Sequence, residues 1–106
     1  MIKVESLKEY QRILCKEDFE VLANKIFMIT EYLVLEYSEY KRWYFEKQLK
    51  NIGSIEREIL FVRNKEKLDE IIAVACLKKT TSEKKICTLY VVENFRSMGI
   101  GSALIS

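Results

Sequence analysis

The sequence contains no histidine and no proline, and it has only three glycines in 106 residues. The lack of histidine excludes the histidine-based catalytic triads and the usual histidine-containing zinc sites. Cysteine is also scarce: Cys15, Cys76 and Cys87 form no C-x-x-C pair. An odd number at these spacings is typical of reduced thiols, and it predicts neither a disulfide framework nor a metal site. Cys76 and Cys87 lie in apolar runs and are predicted to be small core residues.

The sequence has no large excess of charge of either sign. Eighteen basic and sixteen acidic residues give a net charge of +2, so charge gives no reason to expect a nucleic-acid or membrane partner. No segment reaches the roughly 18 uncharged apolar residues of a membrane span, and the first residues lack the pattern of a signal peptide. We therefore expect one cytoplasmic domain over residues 1–106, with no metal.

Residues 1–53 are predicted to be mainly helical. The apolar residues that recur at steps of three and four, the spacing of one helix face, are Phe19, Leu22, Ile26, Ile29 and Leu33. A second helix is predicted over residues 39–50, and a short first strand over residues 2–5. Glu46 and Lys50 form a favourable pair four residues apart on the second helix.

Residues 54–106 are predicted to form strands, then a glycine turn and the start of a helix. Residues 58–63, 71–77 and 86–92 are short apolar runs with polar ends, and residues 78–85 suit a hairpin turn. The last two runs are apolar on both faces, which predicts central strands covered from both sides. Together the two halves predict an α+β fold, with helices packed on a mainly antiparallel sheet.

Aromatic residues interleaved with basic ones crowd the helical half. This pattern has two interpretations. The rings could form a stacking surface for single-stranded nucleic acid, or they could pack in a helix–helix or helix–sheet interface with the basic residues facing solvent. The near-neutral chain favours packing. The residues concerned are Tyr32, Tyr37, Tyr40, Trp43, Tyr44 and Phe45, with Lys41, Arg42 and Lys47.

Two of the three glycines, Gly99 and Gly101, follow the strongest strand pattern. A glycine turn that opens a helix lets backbone N–H groups approach phosphate oxygens, and it directs the positive end of the helix toward them. A dinucleotide fingerprint would need a third glycine at Leu104, and a Walker A loop would need Gly-Lys-Ser/Thr. Both are missing, whereas a plain strand–turn–helix junction remains an alternative on spacing alone.

The run from Leu89 to Leu104, LYVVENFRSMGIGSAL, resembles the central motif of the GNAT superfamily of N-acetyltransferases: a strand followed by Q/R-x-x-G-x-G/A at the start of a helix. The predicted order of elements agrees over most of the chain. The resemblance implies the N-terminal portion of a GNAT fold, with the second half of the domain missing. Glu93 departs from the family pattern, in which proline is common at that position.

The resemblance also implies a binding site for acetyl-CoA as co-substrate. The edge of the strand at Leu89, Tyr90 and Val91 would bind the pantetheine arm, and Arg96 would shape the loop. Backbone N–H groups would hold the pyrophosphate at Ser97, Met98, Gly99, Ile100, Gly101 and Ser102.

The function implied is transfer of acetyl to an amine by direct attack, with a small-molecule or peptide amine as acceptor. Residues 37–45 are expected to border the acceptor side. The catalytic residues stay unknown: Glu58, Glu83 and Glu93 are candidate bases, each with a solvated strand-end position as the ordinary interpretation, and Tyr90 is expected to be a packing residue.

Because the family continues beyond the glycine turn, we expect the 106 residues to be inactive alone. The strand at residues 86–92 would then have an open apolar edge, through which the chain would self-associate. The alternative is a non-catalytic truncated module that binds a cofactor or a protein partner.

Overall fold

The computed structural model describes residues 2–54 and 56–105. The chain begins with strand β1 (Glu5–Ser6), helix α1 (Leu7–Ile13) and helix α2 (Lys16–Thr30). A first 3-10 helix (Glu31–Leu35), helix α3 (Tyr40–Trp43) and a π-helical segment (Tyr44–Leu49) follow. The second half contains strands β2 (Arg57–Asn64), β3 (Lys67–Lys79) and β4 (Lys84–Val91), then a second 3-10 helix (Glu93–Met98) and helix α4 (Ile100–Ile105).

The four strands of the described chain form one antiparallel sheet in the order β1-β2-β3-β4. Residues 71–77 of β3 are all buried, because this strand lies between two neighbours and is covered on both faces. Together with the packed helices, the sheet confirms the predicted α+β fold.

Two hydrophobic clusters lie on the two faces of the sheet. Side chains alternate between the faces along a strand, so neighbouring residues of β3 belong to different clusters. The helical cluster contains Val74 and Cys76 of β3 together with residues of α1, α2 and α3. The other cluster contains Ala73, Ala75 and Leu77 with the buried residues of α4.

Five aromatic residues of the helical half pack against one another: Phe27, Tyr40, Trp43, Tyr44 and Phe45. The Phe27 ring centroid lies 5.2 Å from that of Tyr44 and 5.1 Å from that of Phe45. The Tyr44 hydroxyl donates a hydrogen bond of 2.9 Å to the Ala23 carbonyl in α2. Tyr40 and Tyr44 are both buried, which is the arrangement that the packing interpretation predicts.

The structure differs from the sequence-based prediction mainly in the helical half. The first strand lies at Glu5–Ser6, displaced from residues 2–5, and α1 was not predicted. The predicted face of the first long helix continues past Thr30 into a 3-10 turn, which contains Leu33. The predicted pair of Glu46 with Lys50 is wrong, because Glu46 accepts a 2.8 Å bond from Arg42 one turn earlier.

The prediction that both later strands are central is right for β3 and wrong for β4. In the described chain β4 is one of the two edge strands, and it pairs only with β3. Ile86 and Leu89 are each 42% exposed. β4 therefore has an unpaired backbone edge, and part of its apolar surface is exposed. The apolar pattern of its sequence had predicted burial on both faces.

Candidate functional site

The free edge of β4 carries backbone groups that have no strand partner among residues 2–54 and 56–105. The Val92 N–H donates to the Ile72 carbonyl in β3 at 2.8 Å. Backbone groups of successive residues in a strand point to alternate sides, so Tyr90, two residues earlier, also faces β3. Leu89 and Val91 therefore direct their backbone groups toward the free edge.

A β-bulge at Cys87 interrupts this strand. Thr88 lies opposite Cys76, whereas Ile86 lies opposite Leu77, so Cys87 has no partner in the register. A bulge disrupts the ladder locally and bends the strand that contains it. The bend lies immediately before the segment whose backbone faces the free edge.

Arg96 joins the glycine turn to the end of β4. Its Nε donates a hydrogen bond of 2.8 Å to the Val91 carbonyl. Its guanidinium carbon lies 5.4 Å from the ring centroid of Tyr90, a distance that allows a favourable contact between cation and aromatic ring. The Tyr90 ring also contacts Tyr32, with centroids 5.2 Å apart. Tyr90 thus packs between the turn and the first 3-10 helix.

The two positions of the turn require glycine for different structural reasons. Gly99 has φ 74° and ψ 12°, a left-handed conformation that residues with a side chain adopt only at a cost. A Cβ built on Gly101 would meet Val91 Cγ2 at 3.9 Å, an ordinary contact, whereas a larger side chain would have to displace Val91. Gly99 sets the backbone of the turn, and Gly101 keeps α4 close to β4.

The first turn of α4 presents backbone donors at the surface beside β4. The Ala103 N–H bonds to the Gly99 carbonyl at 3.1 Å, which leaves the N–H groups of the preceding helical residues without an acceptor inside the helix. Ile100 is buried and anchors the turn. Arg96, Ser97, Met98, Gly99 and Ser102 are exposed, and Gly101 is half-buried.

A groove of about 600 Å³ lies between the first 3-10 helix, α3 and β4. Tyr40 forms part of its base, and its hydroxyl donates a bond of 2.8 Å to the Thr30 hydroxyl. Burial raises the pKa of Tyr40 to about 12, so the phenol stays neutral at pH 7. The groove is lined by Tyr32, Leu33, Glu36, Tyr37, Glu39, Tyr40, Trp43, Lys85, Ile86, Cys87, Thr88 and Leu89.

The three candidate bases from the sequence do not come together. Glu58 pairs with Lys79 at 3.0 Å, Glu83 lies in the hairpin turn before β4, and Glu93 begins the second 3-10 helix. None of them lines the groove. The carboxylates that do line the groove are Glu36 and Glu39. Neither was named as a candidate base, although Glu39 belongs to the 37–45 stretch that was expected to border the acceptor side.

A second groove of about 610 Å³ lies on the side of the sheet that α4 covers. It reaches the glycine turn through Met98 and Ile100, and it extends to Tyr10 and Arg63 near β1. There Arg63 Nε donates a 3.0 Å hydrogen bond to Glu5, and the Tyr10 hydroxyl bonds the same carboxylate. These contacts attach α1 to β1 and β2, and the groove does not include the free edge of β4.

The sequence model of the Acetyltransferase (GNAT) family matches residues 23–106. The match covers most of the chain, including β4, the glycine turn and the groove residues. The chain therefore belongs to the GNAT acetyltransferase family, a family of acyl-CoA-dependent acyltransferases. No curated protein and no solved structure matches it.

Two further observations concern the described residues alone. None of their helices is both long and apolar enough to cross a membrane. They also contain no group of three or more cysteine, aspartate or glutamate side chains placed to hold a metal ion.

Proposed function

We propose that this chain carries the acetyl-CoA site of a cytoplasmic N-acetyltransferase that acts on an amine. The observation that carries the proposal is the arrangement of one strand and one turn. The free backbone edge of β4 ends at Val91, and the exposed donors of the glycine turn begin a few residues later, held there by the Arg96 bond to the Val91 carbonyl. Three free thiols suit a reducing compartment.

The residues present fit acetyl-CoA. The first-turn N–H groups of α4 and the open space around Gly99 suit a pyrophosphate. The backbone groups at Leu89 and the N–H of Val91 would bind the amide-rich pantetheine arm as an added strand does. Bound acetyl-CoA supplies a thioester whose C–S bond breaks as the amine nitrogen forms a C–N bond and passes a proton to the sulfur.

Within the complete enzyme, this part would contribute to the transfer by positioning the acetyl group and by polarising its carbonyl. A backbone N–H at the edge of β4 would donate to the carbonyl oxygen as negative charge develops there. The acceptor amine would approach from the groove beside β4, which brings residues of the 37–45 stretch to the reacting strand. This arrangement needs no nucleophilic side chain in the chain itself.

Acetyl-CoA is expected to bind the purified chain, and Gly101→Tyr is expected to abolish binding. The tyrosine ring would have to displace Val91 or occupy the space beside the free edge of β4. Isothermal titration calorimetry measures both proteins, and far-UV circular dichroism checks that the variant is folded. The matched control is Gly53→Tyr, since Gly53 is exposed and a Cβ there would meet only the flexible Gln11 side chain at 3.5 Å. Equal affinity of the Gly101 and Gly53 variants for acetyl-CoA would contradict the proposed pyrophosphate site at the glycine turn.

We also propose that the chain self-associates through the edge of β4 when acetyl-CoA does not occupy that edge. Unpaired N–H and C=O groups flanked by exposed apolar residues are a template for pairing with another strand. Ile86→Lys is expected to shift the chain toward monomer in sedimentation velocity over a range of concentrations, because a charge on an edge strand opposes pairing. Met28→Lys, at an exposed apolar residue of α2, should leave the distribution unchanged. A monomeric wild-type chain at all concentrations would contradict the proposal.

A further inference from the structure

The aromatic and charged side chains that line the groove beside β4 indicate the kind of amine that it accepts. This inference rests on the proposed function, because it treats the groove as the acceptor side. Leu89 and Thr88 bring β4 into the groove wall, so an amine seated there lies against the strand that would hold the thioester. The opposite wall consists of the first 3-10 helix and α3.

Aromatic rings make up much of that opposite wall. Tyr40 and Trp43 have ring centroids 5.6 Å apart, and Tyr32 and Tyr37 are 45% and 65% exposed. The faces of such rings attract organic cations, and their apolar surface suits a hydrocarbon chain. The wall therefore fits a ligand with a short apolar spacer and a positive charge.

The charged residues of the groove favour the same ligand. Two of them are acidic, Glu36 and Glu39, and one is basic, Lys85, so the groove is net negative in a chain of net charge +2. Glu39 pairs with Arg42 at 3.8 Å, with both side chains more than 70% exposed, and such a pair is weak. The carboxylates remain able to bind a cationic ligand.

The nitrogen that attacks a thioester must first lose its proton, and a neutral amine gains little from a carboxylate. Acidic and aromatic side chains on the acceptor side therefore fit a charge located elsewhere on the acceptor. We propose that the acceptor is an amine with a second ammonium group on a short alkyl spacer. The second charge binds Glu36, Glu39 and the rings of the 3-10 helix and α3, while the first nitrogen reaches the edge of β4.

The only tryptophan of the sequence, Trp43, lies in this groove, so its fluorescence reports occupancy without cofactor or turnover. Titration at low salt compares 1,4-diaminobutane with n-butylamine and 1,4-butanediol. We expect a saturable change with the diamine, an apparent affinity about tenfold weaker for the monoamine, and no saturable change with the diol. The double variant Glu36→Gln/Glu39→Gln should lose about tenfold in diamine affinity.

The control double variant, Asp18→Asn/Glu20→Gln, removes the same charge from the exposed surface of α2, outside the groove, and should bind the diamine as the wild type does. Three results would overturn the inference: equal affinity for diamine and monoamine, no saturable change with the diamine, or unchanged binding in the Glu36/Glu39 variant. Failure of the acetyl-CoA titration with intact diamine binding would instead count against the proposed function, so the two failures are distinguishable.

Discussion

Raising the pH from 9 to 11 is expected to lower the free energy of unfolding by about 5 kcal/mol. Three buried groups cause this loss. Burial raises the pKa of the Cys76 thiol from 9.0 to about 12 and that of the Tyr40 phenol from 10.0 to about 12. Burial also raises the pKa of Tyr44. All three side chains lie in the helical cluster, against the face of β3 that carries Cys76.

The sign follows from which state releases the protons. The unfolded chain loses the thiol proton above pH 9 and the phenol protons above pH 10, whereas the folded chain keeps all three protons through pH 11, because burial raises the pKa of each group. Each such group costs roughly 1.4 kcal/mol of stability per pH unit in that window. Between pH 9 and 11, the thiol therefore lowers the stability over two pH units, and each phenol lowers it over one.

Urea unfolding at pH 7, 9, 10 and 11 measures the effect. Cys76→Ala should reduce the loss between pH 9 and 11 by about half, since the thiol alone titrates over the whole interval. Tyr40→Phe should reduce it by about a quarter, and it should lower stability at pH 7 by about 1 kcal/mol, because the bond to Thr30 disappears. A stability that stays constant up to pH 11 in the wild-type chain would contradict the assignment of these groups as buried and neutral.

Replacing Gln48 by methionine is expected to lower the free energy of unfolding at pH 7 by about 3 kcal/mol. Gln48 is fully buried in the π-helical segment. Its Nε2 donates to the Glu58 carbonyl at 2.8 Å and to the Leu77 carbonyl at 3.1 Å, and its Oε1 accepts a 3.0 Å bond from Arg57. Methionine keeps the length of the side chain and removes all three bonds.

The large effect arises mainly because the buried Leu77 carbonyl loses a hydrogen-bond donor. Glu58 and Leu77 face each other across β2 and β3, and buried polar groups that lose a partner carry their full desolvation penalty. Gln11→Met, at an exposed position of α1, should change stability by less than about 0.5 kcal/mol. A Gln48→Met protein as stable as that control would mean that the amide bonds contribute no net stability.

The second half of the chain could be predicted more closely from the sequence than the first. The bounds of strands β2, β3 and β4 differ from the predicted ones by at most four residues, because short β-branched runs between polar turns are a strong local signal. The seven-residue helix α1 was missed, since it offers only two turns of periodicity. The change from α- to π-helix at Tyr44 has no sequence signal of its own and accompanies the seating of Gln48 between β2 and β3.

The glycine turn could be located from the sequence, whereas the groove beside β4 could be anticipated only in the stretch 37–45; which residues bind a cofactor or an acceptor stays a prediction. The glycine turn is a contiguous motif, so Gly99, Gly101 and Arg96 could be named in advance. The groove, in contrast, combines residues about fifty positions apart, such as Glu36 and Thr88, and only the packing of α3 against the sheet brings them together. Tyr32 and Tyr37 were recognised as aromatic, but their exposure beside β4 depends on the first 3-10 helix.

The bulge at Cys87 shifts the alternation of side-chain directions along β4 by one residue. Ile86 and Thr88 are two residues apart, yet they lie opposite residues of different hydrophobic clusters, Leu77 and Cys76. The extra residue accounts for this change of phase between the hairpin side of the strand and the segment from Thr88 to Val91. Cys87 is therefore the spacer between two segments of β4 that differ in phase, one next to the hairpin turn and one next to the glycine turn.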